Sequence, residues 1–144
     1  FLGLTFNWGI IMAWTSVMND ISPGIMLLYL SAIFWTLGYD TIYGLQDIKD
    51  DEIIGMKSTS IKFKNNIKLF VSLCYLINLL LLVYIFKNFL GGNYTTILFI
   101  VYVLSLIMQI YIFNKKSPQN CLEAFKLNNF SGLILFISIF FLPK

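Results

Sequence analysis

Histidine and arginine are absent from this 144-residue sequence, and charged residues of every kind make up only 12% of it. Without histidine there is no zincin motif, no imidazole acid or base and no Ser-His-Asp triad, and without arginine there is no bidentate clamp for a carboxylate or phosphate. Cysteine is limited to Cys74, inside an apolar run, and Cys121, in a stretch that reads as a polar loop, so neither a disulfide framework nor a paired thiol site has support. Carboxylates, lysine, tyrosine, amides and an acquired metal remain as the chemical repertoire. No charged leader precedes the first apolar run, which is therefore not expected to be a signal peptide, and the chain reads as cut from something longer.

What is abundant is apolar surface: 58% of the residues are hydrophobic and the mean hydropathy is +0.80. Such a composition expects lipid as its solvent, and so an integral membrane protein. Five segments approach the roughly 20 apolar residues needed to cross a bilayer, at residues 1–17, 25–43, 67–86, 94–113 and 125–142. They are apolar all round and lack the alternation of a membrane barrel, which predicts an all-α bundle of about five transmembrane helices. Pro23-Gly24, Gly91-Gly92-Asn93 and Ser117-Pro118 mark three of the connections. The remaining one, residues 44–66, has no proline and is too long for a turn.

Eight of the ten lysines (Lys49, Lys57, Lys62, Lys64, Lys68, Lys115, Lys116 and Lys126) fall in or beside the second and fourth connections, against Lys87 and Lys144 elsewhere. The positive-inside rule then puts the acidic loop in the cytoplasm and the Gly-Gly connection on the far side. No internal repeat or second domain is visible, and no nucleic-acid partner is expected.

Five of the seven acidic residues crowd into residues 40–52. If the second helix ran on through this stretch, Asp47 and Asp51 would each lie about 20° from Asp40 around its axis. Three carboxylates would then share a face, flanked by Asp50 and Tyr43, with Ile42 and Leu45 on the packing side. Like charges at i,i+4 cost roughly a few tenths of a kcal/mol in water and more near a membrane, so a cation is expected among them. Hard oxygen ligands suit Mg²⁺, typically held by one or two carboxylates and by phosphate oxygens of a substrate. Downstream, Gly55 allows a tight turn, Lys57 supplies a point charge, and Ser58 or Thr59 offers hydroxyls to a diphosphate. The plain alternative is that these acids solvate a helix end while the lysines set topology; Asp40, at the edge of a span, weighs against it.

The stretch Tyr39-Asp40-Thr41-Ile42-Tyr43-Gly44-Leu45-Gln46-Asp47-Ile48-Lys49-Asp50-Asp51, followed by Gly55-Met56-Lys57-Ser58-Thr59, resembles the second aspartate-rich motif of UbiA-type membrane prenyltransferases, in the 4-hydroxybenzoate polyprenyltransferase branch. The similarity continues through Leu2-Gly3-Leu4-Thr5-Phe6-Asn7-Trp8-Gly9, Phe34-Trp35-Thr36 and Phe125-Lys126-Leu127-Asn128-Asn129, and covers residues 1–144. It implies the C-terminal part of a single nine-helix transmembrane domain whose N-terminal helices, with a first motif of the form NDxxDxxxD, are not in this chain. Asn19-Asp20 starts in that way, but Pro23 stands at the next aspartate position.

The resemblance further implies Mg²⁺ held by Asp47 and Asp51, with Asp50 beside them, and a polyprenyl diphosphate contacted by Lys57, Ser58 and Thr59. Ionisation of the allylic C–O bond would give a carbocation, attacked by the ring of 4-hydroxybenzoate next to its hydroxyl, as in ubiquinone biosynthesis. Asp40 would be an alternate or supporting ligand, and Tyr43 would orient a carboxylate or stabilise the cation. The expected setting is a bacterial inner membrane, with the missing helices supplied in cis or in trans and no prenyl transfer by this piece alone. Two other readings stay open: a non-catalytic gene remnant, and a cation channel or transporter module lined by Asp40, Asp47 and Asp51. Asn7, Asn78, Gln109, Asn128 and Asn129, in or beside spans, read as interhelical glue, and Trp8, Trp14 and Trp35 as lipid-facing or path-lining aromatics.

Overall fold

The computed structural model describes residues 2–91, 93–114 and 117–141, with Leu2 and Lys49 described through their backbone only. The expectations resting on Phe1, Gly92, Lys115, Lys116, Lys144 and the Lys49 side chain lie outside it. The described residues form eight helices in order: α1 (Leu2–Phe6), α2 (Trp8–Met18), α3 (Pro23–Tyr43), α4 (Ile48–Ile54), α5 (Thr59–Lys62), α6 (Ile67–Phe86), α7 (Tyr94–Ile112) and α8 (Pro118–Phe140). Among the described residues there is no strand, and four helices, α3, α6, α7 and α8, are long and apolar enough to cross a membrane.

The breakers act where the sequence placed them. The Ser22 hydroxyl accepts from the Ile25 amide at 3.4 Å and Pro23 occupies the first turn of α3, where its missing N–H costs nothing. Asn19 ends α2 in the left-handed region at φ 53°, its N–H reaching the Thr15 carbonyl at 3.0 Å. The last span departs from its expected limits: α8 begins at Pro118, so Cys121 is a buried helical residue rather than part of a loop.

The first apolar segment departs too. Instead of one span it is two short helices that turn at Asn7, whose side-chain NH₂ donates to the Gly3 carbonyl and the Thr36 hydroxyl, both at 2.8 Å, and to the Ala32 carbonyl at 3.4 Å. Backbone irregularity at membrane depth is tolerated only where protein or a hydrated cavity satisfies it, and here Tyr29 of α3 donates its hydroxyl to the Leu4 carbonyl at 2.7 Å.

The helices pair as α3 on α6 and α7 on α8, with α3 also lying against α8. Buried polar side chains join them. Asn78 of α6 donates to the Ser31 hydroxyl at 2.9 Å and accepts from the Tyr102 hydroxyl at 2.9 Å, linking α3, α6 and α7. Tyr75 donates to the Gln109 side chain at 2.6 Å, which in turn donates to Ser131 of α8 at 2.9 Å. Asn78 and Gln109 thus hold helices together, as read from the sequence. Asn78→Leu removes the acceptor of the Tyr102 hydroxyl and the side-chain donor to Ser31, whose own hydroxyl keeps the Asn78 backbone carbonyl, so we expect a loss of about 2 kcal/mol in unfolding free energy, read by steric trapping in bicelles.

Candidate functional site

The end of α3, the short helices α4 and α5, and the first turns of α8 meet at one end of the bundle, the end that also carries Lys62, Lys64 and Lys68. Lys68 lies 5.3 Å from the ring of Phe113, where α7 finishes. The acidic loop is therefore bordered by lysines within the fold as well as along the chain.

The acids do not sit on one continuous helix. Helix α3 ends at Tyr43, residues 44–47 turn, and α4 starts afresh at Ile48. Asp40 is separated from the others by that turn, and the expected three-carboxylate stripe does not form. Asp47 and Asp51 do keep a common face: Asp47 caps α4, and the Asp51 amide bonds the Asp47 carbonyl at 2.9 Å, one turn on. Asp50 and Asp51 also occupy the first turn of α4, where negative charge complements the exposed amides. Gly55 closes α4 in the left-handed region at φ 76°, which is the turn its residue type predicted.

Most of these carboxylates have no structural employment. Glu52 pairs with Lys64 at 2.5 Å, but among the described residues no hydrogen bond or ion pair engages the side chains of Asp40, Asp47, Asp50 or Asp51. Asp47 does not use its carboxylate for capping. Lys57 is exposed beyond the end of α4. Asp20, by contrast, accepts from the Ile21 amide at 2.7 Å at the opposite end of α3, and Asn19 is a helix cap, so that pair makes a turn and no second acidic site.

For a divalent cation the donor chemistry fits: hard carboxylate oxygens, with neither histidine nor cysteine among them. Among the described residues no three potential ligands converge into a self-contained metal cage. One or two carboxylates from one turn of α4 are what Mg²⁺ takes from protein when phosphate oxygens and water complete its shell.

Two of the expected site residues make contacts within the bundle. The ring of Tyr43 lies against Phe125 of α8, with centroids 4.8 Å apart. Thr59, expected to face a diphosphate, bonds Thr41 of α3 hydroxyl to hydroxyl at 2.7 Å. Ser58 accepts from the Ile61 amide at 3.3 Å as the cap of α5, a bond that leaves its own proton uncommitted.

A cavity of about 440 Å³ opens between the α1–α2 break, α3 and α8, lined by Asn7, Trp35, Tyr39, Phe125, Asn128 and Asn129 among others. Tyr39 and Phe125, 6.1 Å apart, form its wall toward Asp40 and Tyr43. The Asn128 carbonyl and the Trp35 indole N–H are buried without a hydrogen-bond partner among the described residues. Their sequence positions give no hint of this cavity, because its lining comes from three separate segments. The available signal was the amides Asn7, Asn128 and Asn129 in or beside spans, together with Trp35.

The fold and site together define an all-helical membrane protein with an acidic, lysine-bordered loop at one end of its bundle. The chain belongs to the UbiA prenyltransferase family, whose model matches residues 1–139. It is 40% identical over 141 residues to the mitochondrial 4-hydroxybenzoate polyprenyltransferase of Bos taurus, covering 96% of this chain and 38% of that protein. It is 36% identical over 143 residues to the 4-hydroxybenzoate octaprenyltransferase of Francisella tularensis subsp. novicida, covering 94% of this chain and 48% of the relative. The chain thus spans less than half the length of either. No solved structure matches it.

Proposed function

We propose that this chain is the part of a 4-hydroxybenzoate polyprenyltransferase that carries its second aspartate-rich motif, active when further helices supply the first. The observation that carries the reading is the pair Asp47 and Asp51, on one turn of α4 and unpartnered, in a chain of this family. Asp47 and Asp51, with Asp50 beside them, would hold Mg²⁺, and Lys57 would lend its charge to the diphosphate of the prenyl donor. The charge on that leaving group is what a bound Mg²⁺ would neutralise. The apolar helix faces keep the prenyl chain in lipid while its head meets the loop. The cavity beside Tyr39 suits an aromatic acceptor: Phe125 and Tyr39 provide a flat wall, and the unpartnered Asn128 carbonyl would accept a phenolic proton. The loop would face the cytoplasm, by the lysine asymmetry, in a bacterial inner membrane.

The test is to purify this chain with and without co-expressed helices carrying a first aspartate motif, and to assay Mg²⁺-dependent prenylation of 4-hydroxybenzoate. Turnover is expected only from the completed bundle. A folded, assembled pair that stays inactive across prenyl diphosphates of several lengths would overturn the assignment.

A further inference from the structure

We infer that Thr59 and Ser60 are positioning residues that clamp the acidic loop shut against the end of α3, and that the Thr59 hydroxyl does not donate to the diphosphate. Thr41 donates its own hydroxyl proton to the Leu37 carbonyl at 2.6 Å, so in the 2.7 Å contact between Thr41 and Thr59 it is Thr59 that donates. Thr59 has a single hydroxyl proton, and it is used inside the protein.

The last four carbonyls of a helix lack intrahelical partners. In α3 those of Asp40, Ile42 and Tyr43 accept from the amides of Gly44, Leu45 and Gln46 at 2.8, 3.3 and 3.0 Å. The Thr41 carbonyl accepts instead from the Ser60 hydroxyl, at 3.0 Å. Ser60 and Thr41 are almost wholly buried, at 1% and 0% exposure, so water is no substitute.

Room for this contact comes from Gly44, where a Cβ would lie 2.5 Å from the Ser60 hydroxyl. Ser58, by capping α5, turns Thr59 and Ser60 toward α3. The segment between the two anchors, residues 44–57, carries Asp47, Asp50, Asp51 and Lys57. Closing it at its base confines those side chains to one small region, which is the entropy a charged loop would otherwise have to lose on meeting its ligand. That the confinement serves prenyl transfer rests on the function proposed above; the clamp itself does not.

The experiment is hydrogen–deuterium exchange on the chain in lipid nanodiscs, comparing wild type with Thr59→Val, which deletes the hydroxyl at constant volume, and Thr59→Ser, which keeps it. Exchange across residues 45–57 should rise about tenfold in the valine variant and return to wild type in the serine variant, with α6 to α8 unaffected. Unchanged exchange in Thr59→Val would overturn the clamp. If that variant loosens the whole bundle, Ser60→Ala carries the same expectation and the same overturning result.

A parallel titration of the assembled pair, this chain co-expressed with helices carrying a first aspartate motif, with inorganic pyrophosphate and Mg²⁺ separates the two roles of Thr59. Weaker binding in Thr59→Val together with faster loop exchange agrees with positioning, whereas weaker binding with unchanged exchange would make Thr59 a direct phosphate donor and overturn the inference. Failure of every version to bind pyrophosphate would count against the prenyl-transfer reading, while the exchange data still decide the clamp.

Discussion

In a completed bundle, Asp51→Asn and Asp47→Asn should each lower prenyl transfer by at least about 100-fold at fixed Mg²⁺, and the loss should lessen as Mg²⁺ is raised. Removing one preorganised group that stabilises developing charge commonly costs 10²–10³ in rate, about 3–4 kcal/mol. Asparagine keeps the shape and one carbonyl oxygen but no charge, so the cation would be held more weakly without distorting α4. Partial recovery at high Mg²⁺ would mark a metal-binding loss; a deficit insensitive to Mg²⁺ would not. Asp50→Asn should have a smaller effect, because Asp50 lies off the face shared by the other two. Glu52→Gln serves as the control: it breaks an exposed ion pair with Lys64 and should change the rate less than about twofold. Mg²⁺ titrations of the initial rate for the four variants are the measurement.

Gly38→Ala should be among the most destabilising single substitutions in the chain, by about 3 kcal/mol. The ring of Tyr75 packs against Gly38, and an added Cβ would overlap its Cε1 and fall 2.7 Å from Cδ1 and 3.1 Å from Cζ. The ring has little freedom to yield. Tyr75 is 1% exposed, and its hydroxyl is bonded to Gln109, which is bonded to Ser131. Either α3 moves away from α6 or the linked bonds break; overpacking alone costs about 1–3 kcal/mol, and an orphaned buried partner adds more. Pairing Gly38→Ala with Tyr75→Leu should recover part of the loss, so that the double variant is less destabilised than the sum of the singles. Strict additivity in thermal unfolding in detergent would show that ring contact is not the cause.

The long spans were legible because twenty apolar residues between breakers admit few other structures in lipid. The extension of α8 back to Pro118 was not, because Gln119, Asn120 and Glu123 are polar, and hydropathy reports where a helix meets lipid rather than where it begins. A single asparagine in an apolar run gave no sign of the break at Asn7, since what holds that break is Thr36, distant along the chain. The pairing of Asp47 with Asp51 survived the turn that separates them from Asp40, because both fall within one helical turn. The turn itself depends on how closely Ser60 approaches Gly44, a tertiary contact that periodicity cannot contain. Asn78 and Gln109 announced themselves as amides in spans; Tyr75 and Tyr102 did not, because a tyrosine in an apolar run reads equally well as packing.

The buried amides and hydroxyls also bear on how such a chain is made. Helices enter a membrane in the order of synthesis, and a polar side chain entering alone is unfavourable until it finds a partner. Ser31 is already in place when Asn78 arrives, Asn78 precedes Tyr102, and Tyr75 precedes Gln109. Ser131 comes last and meets both Ser105 and Gln109. Each newly inserted helix therefore finds its acceptor or donor on a helix the ribosome has already delivered, and the four spans can assemble stepwise while translation continues.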